Sequence, residues 1–212
     1  MTETAKLISA AQSLGVILDA YQARQLTDYL QLIQKWTKVY NLTAVRDPAE
    51  MMTHHLLDSL AAVAPLRRQM TRGTLLDVGS GAGLPGVVIA VCCPEVAVTC
   101  VDTVAKKATF IKQVALELKL PNLTGLHARV EGITQPFDVI CSRAFASLSD
   151  FTKWSAKALA PQGVWMAMKG KHPAEELAVL PPDIDVFHVE QLQVPGLGAE
   201  RCVLWMRKKP VS

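Results

Sequence analysis

The sequence predicts an α/β fold: a doubly wound, mostly parallel sheet with an antiparallel edge near the C-terminus, preceded by a helical extension. Three observations predict it. From Thr74 onward, apolar strand-like runs alternate with helical stretches, the order that builds a parallel sheet covered by helices on both faces. Within that region, Leu75-Leu76-Asp77-Val78-Gly79-Ser80-Gly81-Ala82-Gly83-Leu84-Pro85-Gly86 reads as a buried strand with an acidic residue, a turn of alternating glycines and a helix start. The next apolar run ends at Asp102, about 20 residues beyond the glycines, the spacing at which a carboxylate closing the second strand meets ribose hydroxyls.

The helical extension covers 1–70. Apolar spacing predicts a short helix around Leu7 and Leu14 and a long one over 21–40, with Leu26, Leu30, Ile33 and Val39 near one face. Asp47-Pro48 opens a third, as cap and first helical residue. It runs through Met51, His55, Leu56 and Leu60 to about Ala64, where Pro65 is expected to stop it. The sheet domain covers 71–212. Its elements, in order, are a strand at 75–78, a helix at 84–92, a strand at 96–101, a helix at 104–118, strands at 123–128 and 137–141, a helix at 149–159 and a strand at 164–168. The tail changes pattern: 186–194 and 201–207 read as strands joined by Pro195-Gly196-Leu197-Gly198, hence the antiparallel edge.

Composition excludes several classes. With 212 residues, half of them hydrophobic, the chain can bury a full core without disulfides. The longest apolar run, 83–101, is interrupted by Pro94 and Glu95, so it is helix, turn and strand rather than a membrane span. The first residues lack the charged-then-apolar plan of a signal peptide, and a cytoplasmic location follows by default. None of the five cysteines forms a C-x-x-C pair or has a histidine at zinc spacing, so buried free thiols and no metal are expected. The net charge of +3 does not by itself demand a nucleic-acid partner, although basic residues cluster at Arg67, Arg68 and Arg72, at Lys106 and Lys107, and at Lys169 and Lys171.

The glycine turn and Asp102 together argue for a nucleoside-containing cofactor at the carboxyl ends of the strands. Gly81-Ala82-Gly83-Leu84-Pro85-Gly86 formally satisfies the dinucleotide pattern G-x-G-x-x-G. Three details favour S-adenosylmethionine. The glycines begin one step earlier, as G-x-G-x-G from Gly79. Asp77 would repel the pyrophosphate that a dinucleotide places at the helix N-terminus, yet can attract a cationic amino-acid group. Pro85 removes an N–H where phosphate needs donors. Cofactor contacts are therefore expected at Asp77, Gly79, Gly81, Gly83 and Asp102. At the end of the third strand, the Val130 N–H and the Glu131 carboxylate are suited to the ring nitrogens and amino group of adenine. The end of the fourth strand, Cys141-Ser142-Arg143-Ala144-Phe145, should face the reacting methyl group.

Tyr40-Asn41-Leu42-Thr43, His55-Leu56-Leu57-Asp58-Ser59, the 77–86 stretch, Ser142-Arg143-Ala144-Phe145 and Lys169-Gly170 make the chain resemble the bacterial 16S rRNA methyltransferase G family, also called glucose-inhibited division protein B. The resemblance runs over nearly the whole chain, including the helical extension. It implies a Rossmann-like class I methyltransferase sheet and methyl transfer from S-adenosylmethionine to N7 of a guanosine in the decoding-region hairpin of 16S rRNA. It also implies cofactor contacts at Gly79, Leu84, Val130, Glu131 and Arg143. The partner is then 16S rRNA, alone, within the 30S subunit or in an assembly intermediate, met by a monomer with no membrane partner.

The chemistry expected of such an enzyme is sparing. No Asn/Asp-Pro-Pro-aromatic motif follows the fourth strand, as exocyclic amine methylation would suggest. Cys141 sits in an apolar strand, where a core thiol is a better account than a covalent nucleophile. N7 of guanine is an unprotonated acceptor, so its methylation releases no proton and needs no general base. Arg143 and Lys169 are expected to position RNA or cofactor, with an ordinary strand-end salt bridge as the plainer reading. Asn41 and His55 are further positioning candidates, and His55 reads equally well as a packing residue. Trp36 and Tyr40 could stack on unpaired bases or simply be buried. A small-molecule methyltransferase, an NAD-dependent oxidoreductase and a non-catalytic cofactor-binding module are the competing functions.

Overall fold

The computed structural model describes residues 2–210. Four helical segments open the chain: α1 (Glu3–Ser13), α2 (Ala20–Tyr40), α3 (Pro48–Met51), continued by a π-helical turn over Met52–Leu57, and α4 (Asp58–Leu60), followed by α5 (Val63–Gln69). Asp19 caps α2 through a reciprocal pair with Gln22, and Asp47 caps α3 ahead of Pro48. Pro65 does not stop the third helix. The break comes earlier, at Ala61-Ala62, and Pro65 falls in the first turn of α5, where its missing N–H would have had no helical partner anyway.

The sheet comprises β1 (Gly73–Val78), β2 (Val96–Asp102), β3 (Leu123–His127), β4 (Phe137–Arg143), β5 (Leu159–Lys169), β6 (Ile184–Leu192) and β7 (Arg201–Lys208). Between the strands run α6 (Gly86–Cys92), α7 (Ala105–Glu117), a 3₁₀ turn (Val130–Gly132), α8 (Leu148–Ser155) and α9 (Ala174–Ala178). The strand order is β3-β2-β1-β4-β5-β7-β6. β1 to β5 are parallel, and β7 pairs antiparallel with both β5 and β6. The helix expected over 149–159 is shorter, because Leu159 already pairs with Phe137 and lengthens β5. The short helix α9 has no counterpart in the apolar pattern, and no residue of it is buried.

Successive residues of β1 feed opposite faces of the sheet. Leu75 joins the cluster that holds Leu26, Ile33, Leu56, Val88 and Ile111, whereas Leu76 joins Ile140, Phe151 and Trp165. Burial on both faces is what a central parallel strand requires. The first cluster runs without interruption from α1 and α2 into α6 and α7, so the N-terminal helices and the sheet share one core. The chain leaves β1 outward to β2 and β3 and returns to β4 on its other side. The crevice where those directions diverge lies at the carboxyl ends of β1 and β4, where open α/β sheets bind ligands.

Candidate active site

Two cavities open at that crevice. One, of about 430 Å³, is lined by Val78, Gly79, Asp102, Val104, Lys107, Val130, Glu131, Phe145 and Trp154, among others. The other, of about 450 Å³, is lined by Leu42, Thr43, His54, His55, Asp58, Ser80, Leu84, Arg143, Lys169 and Arg201, among others. Gly79 and Ala144 line both, so the two spaces meet between the ends of β1 and β4. Gly79 sits at φ +64°, and a Cβ there would enter the Phe145 ring. The glycine is therefore required both by the turn and by the aromatic packed against it.

In the first cavity the Asp102 carboxylate is only 6% exposed. Its Oδ2 accepts from the Gly81 N–H at 3.0 Å and its Oδ1 from the Val104 N–H at 2.9 Å, with Lys107 Nζ at 3.5 Å. Each oxygen keeps lone-pair capacity for a further donor. Val130 and Glu131 face the same space from the 3₁₀ turn. Two large apolar side chains that remain exposed, Val104 and Trp154, line this cavity as well. Phe145 meets Trp154 edge-on at 5.9 Å. A cavity lined by a buried carboxylate, by backbone and acidic groups and by exposed apolar side chains suits a flat heterocycle joined to a hydroxylated sugar.

The second cavity is built around a buried carboxylate. Asp58 accepts from Arg143 Nη1 at 2.8 Å through Oδ2 and from Arg201 Nε at 2.7 Å through Oδ1. Arg143 Nη1 also donates to the His54 carbonyl at 2.8 Å. Lys169 Nζ donates to the Ala146 carbonyl at 3.0 Å and to Glu176 at 2.9 Å. His55 shares a hydrogen with Thr43 Oγ1 at 3.0 Å through Nε2, while its Nδ1 is buried without a partner. Burial, then the Arg143 charge, lowers the His55 pKa to about 4, so the ring is neutral at neutral pH. The hydroxyl of Ser80 is likewise buried on this wall with no partner.

Three residues expected at these surfaces lie off them. Asp77 is fully buried behind the glycine turn, where Oδ2 accepts from the Gly86 N–H at 2.8 Å. Burial raises its pKa to about 7. Gly83 lines neither cavity, and the Ile111 and Val87 side chains occupy the space a Cβ would take. Asn41 is the left-handed C-cap of α2, and its Oδ1 accepts from Arg46 at 2.6 Å. Trp36 packs against Phe110 and Tyr40, and the Tyr40 ring stays partly exposed under Lys106. The five cysteines are buried and unpaired, and burial raises the Cys141 thiol well above its ordinary range. Among the described residues no group of acidic, histidine or cysteine side chains could hold a metal, and no helix is long and apolar enough to cross a membrane.

The family model for rRNA small subunit methyltransferase G matches residues 22–204. The chain belongs to that family. It is 74% identical over 212 residues to the ribosomal RNA small subunit methyltransferase G of Polaromonas sp. strain JS666, covering 97% of this chain and 94% of the relative. The protein of that name from Albidiferax ferrireducens is 66% identical over 93% of this chain and 94% of its own length. Among solved structures, TrmN from Thermus thermophilus superposes with a TM-score of 0.58 at 21% identity, over 71% of this chain and 49% of that one. The ribosomal protein L11 methylase of Lactobacillus delbrueckii subsp. bulgaricus gives 0.56 at 15% identity, over 72% and 79%. These two share the fold. The methyltransferase G enzyme uses S-adenosylmethionine as its methyl donor.

Arg201 and Trp154 belong to the cavity walls but lie in no sequence motif, whereas Ser80 lies inside the glycine turn and was not singled out there. Nothing local distinguishes Trp154 on α8, and Arg201 is brought in by β7, far along the chain from the other residues of its cavity.

Proposed function

We propose that the protein transfers methyl from S-adenosylmethionine to N7 of a guanosine in the decoding-region hairpin of 16S rRNA. It acts as a cytoplasmic monomer on RNA presented by the 30S subunit or an assembly intermediate, with residues 1–70 as a helical extension to the methyltransferase domain at 71–212. The observation that carries this reading is the meeting of the two cavities at Gly79 and Ala144. One offers a ribose acceptor and an apolar slot; the other is rich in cationic donors.

The cofactor fits the residues present. Asp102 takes the ribose hydroxyls on its remaining lone pairs, and the Val130 N–H and Glu131 carboxylate take the edge of adenine. Val104 and Trp154 cover its faces. Gly79 and Gly81 would let the main chain lie against the ligand, and Leu84 and Arg143, on the wall of the adjoining cavity, would hold its amino-acid part. When bound, S-adenosylmethionine supplies an activated methyl group on a sulfonium centre.

This chain's own residues then orient the base. Arginine ordinarily reads guanine through O6 and N7 together. Here N7 must stay free to attack, so Arg143 or Arg201 can donate only to O6 or to phosphate. No side chain is needed to remove a proton, and His55, neutral and held by Thr43, serves to shape the wall. Alignment of nucleophile and methyl supplies the rate advantage. The test is a digest of 16S rRNA to nucleosides after incubation with the purified protein and labelled cofactor. The expected product is 7-methylguanosine. Label in a methylated adenine or pyrimidine, or no label in RNA, would overturn the reading.

A further inference from the structure

We propose that Tyr29, on the N-terminal helix α2, is a positioning residue of the cofactor site and sets the glycine turn from behind. The inference rests on that turn being the cofactor's seat. Tyr29 Oη donates to the Ala82 carbonyl at 2.6 Å, and the ring is completely buried. Burial holds its phenol pKa well above the ordinary value, so the hydroxyl remains a donor throughout the working pH range.

Three consecutive residues of the turn are pinned from two elements, β2 and α2. The Ser80 N–H donates to the Val101 carbonyl at 3.2 Å. The Gly81 N–H donates to Asp102 at 3.0 Å. The Ala82 carbonyl accepts from Tyr29. The first two ties come from β2 and its end, inside the methyltransferase sheet; the third comes from the helical extension. A buried carbonyl that loses its donor has to reorient or stay unpaired. The peptide plane after Ala82 is held on both edges: the Gly83 N–H donates to the Ser80 carbonyl at 2.8 Å, and the Ala82 carbonyl accepts from Tyr29. Tyr29 therefore ties the carbonyl edge of that plane to the helical extension, while Ser80 of the turn holds its N–H edge. Phe110, stacked 6.4 Å from the Tyr29 ring, comes from α7, the helix that begins just beyond Asp102. One rigid aromatic contact thus ties α2 to both sides of the cofactor seat.

The same helix face supplies a control. Gln22 donates to the Val91 carbonyl at 3.0 Å, and Gln25 donates to the Leu118 carbonyl at 2.7 Å. With Tyr29 they form a row of polar side chains one turn apart, each docking α2 on the sheet domain. Gln25 is buried like Tyr29, but its bond ends at the far end of α7, away from the glycine turn.

The experiment is calorimetric titration of S-adenosylmethionine into the full chain and its Tyr29→Phe, Gln25→Leu and Asp102→Ala variants, with urea denaturation of each. Tyr29→Phe keeps the ring and its packing, so the variant folds. Its affinity is expected to fall roughly five- to thirty-fold, while Gln25→Leu loses comparable stability but keeps parental affinity. Tyr29→Phe affinity within about two-fold of the parent, with Asp102→Ala impaired, would overturn the inference and leave the cofactor site standing. An equal loss in Gln25→Leu would also overturn it, since general docking of α2 would then be the cause. Parental affinity in Asp102→Ala would remove the cofactor from this turn and the inference with it.

Discussion

At the scale of residues, the site separates binding chemistry from proton chemistry. The side chains on the walls of the second cavity are donors or are already engaged: Arg143 and Arg201 on Asp58, and Lys169 on Glu176. Two imidazoles line that cavity, His54 and His55, and the pKa of the buried one, His55, at about 4 removes its transition from the physiological range. A folded-state value below the usual 6.5 means the imidazole stays neutral above about pH 4, so no change in its charge occurs between neutral and mildly basic conditions. Because methylation of N7 releases no proton, the rate of single-turnover methyl transfer is expected to be nearly flat between about pH 6 and 8.5, apart from effects on binding such as the titration of Asp77 behind the glycine turn, and His55→Ala should retain part of it. Rapid-quench assays across that range check both. A steep single-proton rise through neutral pH that disappears in the His55 variant would make His55 a base. Cys141 takes no part in this chemistry, being fully buried in β4 with a thiol that burial keeps protonated.

At the scale of elements, the segment from Asp47 to Gln69 shows where reading the sequence succeeds and where it stops. Asp47-Pro48 announces a helix start because capping is decided by adjacent residues. The π-helical turn over Met52–Leu57 was not visible, because its residues have the same apolar spacing an α-helix would show. Yet this turn carries His54 and His55 to the cavity wall and delivers Asp58 between two arginines. π-helical turns concentrate at functional sites, where one extra residue re-aims the side chains after it. Asp58 is 3% exposed and both guanidiniums are mostly covered, so Asp58→Ala leaves two charges without their shared partner. The expected cost is about 3 kcal/mol of stability, read as a lower urea midpoint at unchanged slope. A loss below about 0.5 kcal/mol would show that water replaces the carboxylate freely. The glycine turn, Asp102 and the Val130-Glu131 pair were legible for the same reason as the caps: they follow the ends of strands at fixed spacings. Arg201 meets Asp58 from 143 residues away and Tyr29 meets Ala82 from 53, and no local pattern encodes such pairings.

At the scale of the whole molecule, the fold brings two functions to one crevice. The parallel strands and their switch between β1 and β4 create the crevice proposed as the cofactor seat. The additions on either side, the N-terminal helices and the β6–β7 edge, build the second cavity, since Thr43, His55 and Asp58 come from one and Arg201 from the other. Because the helices share a core with the sheet, that wall is fixed relative to the cofactor rather than hinged to it. In the proposed reading, this architecture would present the methyl group of the cofactor to a guanine held among cationic donors. The decisive measurement is a map of methylated positions in 16S rRNA from cells with the gene, without it, and with an Asp102→Ala copy. A single 7-methylguanosine in the decoding-region hairpin should be absent without the gene, restored by the parent and not by the variant. An unchanged map, or loss of a methyl group from a different kind of base, would contradict the account.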